Sequence, residues 1–122
     1  MQQPTTPEKQ LGIVTMPRVR FLGEQDGIPE RQLKERLARM FGDDGRVSKA
    51  YLAKVAYGDA QLIAVALCVR VRTASDKIVC EKVGRVFASM FSQHEHLDII
   101  FISDTKESEL DRLCKPFYTA VL

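Results

Sequence analysis

Histidine occurs only twice in the 122 residues, cysteine three times and tryptophan not at all. Each scarcity closes off a class of chemistry. Both histidines lie in His94-Glu95-His96-Leu97-Asp98, the one stretch where metal-ligand residue types crowd together. Zinc proteases use HExxH on a helix so that both imidazoles point the same way. Here the histidines are two positions apart at the end of a predicted helix, so the stretch reads as a polar turn before a strand and no metal is expected. The cysteines, Cys68, Cys80 and Cys114, are odd in number, far apart, without a CxxC pair and set among apolar neighbours. That pattern is not a disulfide framework and fits a reducing cytoplasm.

Long hydrophobic runs are missing too. The longest, Leu62 to Val69, is far too short to span a bilayer, and the polar opening MQQPTTPEKQ lacks the apolar segment of a signal peptide. A cytoplasmic location, no membrane partner and a flexible tail over 1–10 are the expectations. Nor is there a surplus of one charge: 18 Lys plus Arg against 16 Asp plus Glu leaves +2, which offers no bulk attraction for nucleic acid or anionic lipid. No glycine-rich phosphate cradle follows a strand, and Asp43-Asp44 reads as a turn. Lys115 beside Cys114 would favour a thiolate, but a helix C-terminus works against one and no histidine is near in sequence. The expectation is a protein with no catalytic residues and no cofactor.

What is present is a pattern of alternating strands and helices with 45% hydrophobic residues, enough for one domain over 11–122 with its own core. A first strand is predicted over about 14–22, irregular at Pro17. A helix opens near Pro29, with Leu33, Leu37, Met40 and Phe41 at helical spacing. The runs RVSKAYLAKVAY and AQLIAVALCVRVR, separated by Gly58-Asp59, read as a tight hairpin. A two-residue turn there pairs Tyr57 with Ala60, Val55 with Leu62, Ala53 with Ala64 and Tyr51 with Ala66. One face, with Ala50, Leu52, Ile63, Val65, Leu67 and Val69, is aliphatic throughout and suits packing under helices. A second helix, capped by Ser75 or Asp76, carries Val79, Val83, Val86, Phe87 and Met90 in one stripe. LDIIFIS is a buried strand. Asp104 and Glu107 form a capping box for a short helix with Leu110 and Leu113 inward, which Pro116 stops. The fold class is α+β: a ferredoxin-like β-α-β-β-α-β antiparallel sheet with the first and third strands central, helices on one face, and a short C-terminal helix.

The second face of that sheet is the candidate site. It carries Tyr51, Val55, Tyr57, Leu62, Ala64 and Ala66, too apolar to face water, and is expected to be an interface for a homodimer or a separate protein partner. By alternation Arg18, Arg20, Arg70 and Arg72 join it as candidate ligand or anion contacts. An alternative is a small-molecule sensor, with a metabolite in the gap above Ala53, Ala64 and Ala66 and an arginine pairing its carboxylate. RNA is a weaker alternative. The order matches an RNA-recognition domain, but the central strands place alanines and Cys68 where stacking needs aromatic rings.

The stretch SKAYLAKV, the hairpin and second helix after it, then LDIIFIS and the closing KPFY, resemble the C-terminal domain of SseB, the enhanced serine sensitivity protein, over about 28–118. An SseB-type N-terminal domain commonly precedes that domain, and this sequence does not include one. The resemblance implies a bacterial accessory protein with no established reaction and no catalytic residues to carry over. It also implies that Pro116-Phe117-Tyr118 is a feature of the fold. Pro116 sets an extended exit from the terminal helix, so Phe117 and Tyr118 are expected to leave on opposite sides, with Phe117 the more buried.

Overall fold

The computed structural model describes residues 19–58, 63–72 and 76–121. Along the chain run β1 (Val19–Glu24), α1 (Ile28–Asp44), β2 (Val47–Tyr57), β3 (Ile63–Val71), α2 (Asp76–Met90), β4 (Asp98–Phe101), α3 (Asp104–Asp111) and β5 (Tyr118–Thr119). The expected succession of strands and helices is present, with β5 added at its end.

Strand order departs from the ferredoxin-like arrangement. The sheet runs β1-β2-β3-β4, with β5 also on β2. The central strands are therefore β2 and β3, not the first and third. β1 pairs antiparallel with β2, through Val19 opposite Tyr57 and Phe21 opposite Val55, so the free edge of β3 is left to β4. β4 follows a helical crossover and lies parallel to β3, with Leu67 opposite Ile99, which makes the sheet mixed.

The hairpin register is displaced by two residues from that of a two-residue turn. Val55 faces Ala64, Ala53 faces Ala66 and Tyr51 faces Cys68. Gly58 adopts φ +54°, a left-handed conformation that glycine enters without a Cβ penalty. A displacement by an even number preserves the side of the sheet on which every residue stands, so the two predicted faces survive although the partners change.

α1 and α2 cover the first face. Leu33, Leu37 and Phe41 of α1 and Val79 and Val83 of α2 are buried against Ala50, Leu52, Leu67 and Val69. α1 has Pro29 in its first turn and ends at Gly45, whose φ of +81° lets its N–H reach the Phe41 carbonyl at 2.9 Å. Ser75 and the strand predicted before Val19 lie outside the described residues. α3 is capped by Ser103, whose hydroxyl accepts from the Lys106 N–H at 3.4 Å, and not by the predicted box from Asp104. Its inward residue is Leu110, followed by Cys114, while Leu113 is exposed.

The aromatic ending closes the fold at a strand edge. The Phe117 N–H donates to the Ala50 carbonyl, and the Ala120 N–H to that of Ser48, each at 2.9 Å. Contrary to the expected opposite exits, both rings turn to Phe41, with centroid separations of 6.5 Å for Phe117 and 5.7 Å for Tyr118. Both are half-buried. Tyr118 stands opposite Ala50 and so shares its face, which directs the ring toward the helices.

Candidate functional site

Across the ladder on the second face stand Lys49 and Arg70, then Tyr51 and Cys68, Ala53 and Ala66, Val55 and Ala64. Two cations directly opposite one another repel. Glu107 of α3 lies between them, its carboxylate accepting from Lys49 Nζ at 2.8 Å and from Arg70 NH1 at 2.9 Å. Arg70 also donates to Asp104 at 2.5 Å, and the Tyr51 hydroxyl donates to Asp111. Positions 104, 107 and 111 recur at helical spacing, so α3 turns an acidic edge to the basic and hydroxyl groups of the sheet. Between these polar contacts Leu110 and Cys114 pack into a cluster with Tyr51, Ala53, Val55, Ala66 and Cys68. Lys106 adds its ammonium 6.0 Å from the Phe21 ring centroid.

The sheet is thus covered on both sides. Of the predicted interface, Tyr51, Val55 and Ala66 are fully buried by the chain itself, Tyr57 and Ala64 are half-buried, and Leu62 lies outside the described residues. The expected ligand gap is closed as well, since Ala53 and Ala66 have no exposed surface. The four arginines are not brought together. Arg70 is held by Asp104 and Glu107. Arg20 stands opposite Ala56, on the helix side, because Val19 and Phe21 take the inward positions that alternation from Val14 would have given to Arg18 and Arg20. Arg72 is exposed beyond the end of β3, and Arg18 lies outside the described residues.

Protonation follows from these contacts. Burial, with Cys114 nearby, pushes the Cys68 thiol up to about 12, and burial pushes Cys114 up to about 11. Cys80 is raised by burial to a lesser degree. All three are free thiols held in the neutral form. Burial, then the bond to Asp111, raises the Tyr51 phenol, while the bond to Glu107 raises the Lys49 ammonium. At the hairpin end the Tyr57 hydroxyl donates to Asp98 at 2.6 Å, and the other oxygen of that carboxylate meets His96 Nε2. His96 is thereby engaged with Asp98, and among the described residues no three metal-ligating side chains gather.

Among the described residues, a cleft and a crevice lie on the side of α1 and α2. An open cleft of about 620 Å³ is lined by Arg36, Arg39, Met40, Asp43, Asp44 and Lys82. A crevice of about 80 Å³ has Leu52 and Val65 among its lining residues, with the stacked rings of Phe87 and Phe91 beside them and Glu30 and His96 at its edge. Asp44, read from sequence as a turn residue, is instead a tie between helices: its carboxylate accepts from Lys82 at 2.6 Å and also pairs with Arg46. The Lys82 bond, then the Arg46 charge, hold Asp44 below the usual carboxylate range. Its contribution is therefore complete above the unfolded-state pKa near 4 and is lost as pH falls through the lower folded value. Asp44→Asn should cost about 1 kcal/mol at neutral pH, because Lys82 and Arg46 are both partly solvated, and the difference from the parent should vanish in acid. Urea unfolding at several pH values measures this, and a cost that does not change with pH would contradict it.

Sequence reasoning missed the acidic edge of α3. Its spacing was visible, but nothing local showed which sheet face it would meet. Among the described residues no helix is long and apolar enough to cross a membrane. The family model for the SseB protein C-terminal domain matches residues 22–119. No curated protein and no solved structure matches the chain.

Proposed function

The chain belongs to the SseB protein C-terminal domain family, and from that premise we propose that it is a non-catalytic module working by protein contact, first of all with a second copy of itself. The observation that carries this reading is the state of the second face. Its thiols are buried and neutral, and its phenol, ammonium and guanidinium groups are tied to α3, so these side chains act as structure. A nucleophile or general base needs the opposite condition, with an accessible atom and a pKa near the working pH. Three free thiols suit a reducing cytoplasm.

The contact surface is the hairpin end of the sheet. Ile63 is 62% exposed there on the helix-side face, and half-buried Tyr57 and Ala64 stand at the same end on the second face, the members of the predicted interface that remain accessible among the described residues. Sedimentation across micromolar concentrations tests the reading. The parent chain is expected to associate, and Ile63→Asp to remain monomeric with the unfolding midpoint that the parent shows at dilutions where it too is monomeric, since so exposed a side chain contributes little to the core. A parent chain that is monomeric throughout, or an Ile63→Asp variant that associates equally well, overturns it.

A further inference from the structure

We propose that α3 and its flanks form a hinged strap over the second face, opening as a unit while the rest of the sheet stays folded. The segment is fixed at both ends by backbone bonds: the Ile102 N–H donates to the Val69 carbonyl at 3.0 Å before α3, and the Phe117 N–H to that of Ala50 at 2.9 Å after it. Between these anchors a helix of 8 residues is too short to hold itself together without tertiary contacts.

Those contacts are few and mostly polar. Leu110 is the one fully buried residue of α3; its polar attachments run through Asp104, Glu107 and Asp111, with Lys106 over the Phe21 ring and, after the helix, the Cys114 thiol donating to the Leu52 carbonyl at 3.5 Å. Salt and water reach several of them. The side chains of Lys49 and Arg70 are each 27% exposed, that of Glu107 is 24% exposed, and that of Asp104 is 92% exposed. The apolar cluster beneath the strap is distinct from the one under α1 and α2, so lifting α3 uncovers the first without disturbing the second. Contacts of this kind place a segment at the low-stability end of a fold, where it opens without global unfolding.

Glu107 is the latch. Its carboxylate neutralises Lys49 and Arg70 together, and without it two cations face each other across the ladder. The strap also covers two reporters, Cys68 beneath it and Cys114 upon it, whereas half-buried Cys80 stands on α2 away from it. Opening therefore exposes the first two thiols and leaves Cys80 unaffected.

Labelling of the intact native chain with a thiol reagent, resolved by residue with mass spectrometry along a sub-denaturing urea series, tests the proposal. Cys68 and Cys114 are expected to react together, faster than global unfolding permits and with a shallower urea dependence than global unfolding shows. Glu107→Gln is expected to raise both rates about tenfold and leave Cys80 unchanged. In the parent chain, added salt is expected to raise the same two rates, which keeps the test decisive if the variant does not fold. The proposal is overturned if Cys68 and Cys114 react only at the global unfolding rate, with its urea slope, and show no response to salt.

Discussion

Phe41→Ala is expected to destabilise the fold by about 3–5 kcal/mol, the range for emptying a core aromatic site. Phe41 has no exposed surface, closes the buried stripe that begins with Leu33 and Leu37, and receives the rings of Phe117 and Tyr118. Its alanine variant would lose the apolar area of the ring and leave a cavity between α1 and β5. Half-buried rings on one side limit the collapse that could close this gap, because each is held in place by a strand edge. Urea unfolding measures the effect. A midpoint shift worth less than about 1.5 kcal/mol would mean that the α1–β5 junction is not a packed part of the core.

Truncation after Lys115 should be the second large effect, at about 3 kcal/mol. It removes two half-buried rings, at about 1–1.5 kcal/mol each, and the edge bonds to Ala50 and Ser48, at about 1 kcal/mol each, partly offset by the chain entropy recovered. Removing 119–122 alone retains both rings and the Phe117 bond and should cost about 1 kcal/mol. Because Phe41 and the tail share one set of contacts, Phe41→Ala in the truncated chain should cost clearly less than in the full chain. The contrary result, an undiminished cost together with a truncated chain as stable as its parent, would make Pro116-Phe117-Tyr118 a docking peptide and not a closing strand.

Both effects depend on a tail whose role was only half legible. That a Pro-Phe-Tyr ending belongs to the fold could be read from the sequence. That both rings meet Phe41 follows from the pairing of Tyr118 with Ala50, and nothing in the composition of either segment dictates that register. Leu110 and Leu113 show the same division. Both were expected inward on a short helix, but the helix ends at Asp111, so the docking of α3 over the sheet buries Leu110 and leaves Leu113 exposed in the turn beyond it.

Periodicity by itself determined the succession of elements, the two faces of the β2–β3 hairpin, and the apolar stripes of α1 and α2. These depend on the 2.0- and 3.6-residue repeats, which each segment carries whatever it meets. Membership of the SseB C-terminal family was legible for a related reason, since most of the chain keeps that order of patterns. Only the tertiary structure decided that β1 borders β2, that the hairpin register lies two residues from a tight turn, and that Arg20 points to the helix side. Pairing partners are chosen among open edges, and those choices are not written within a segment. The second face shows the consequence most clearly. Arg70 looked like an anion contact because its counter-charge, Glu107, arrives from 37 positions further along the sequence, carried by a helix whose landing place only the folded chain specifies.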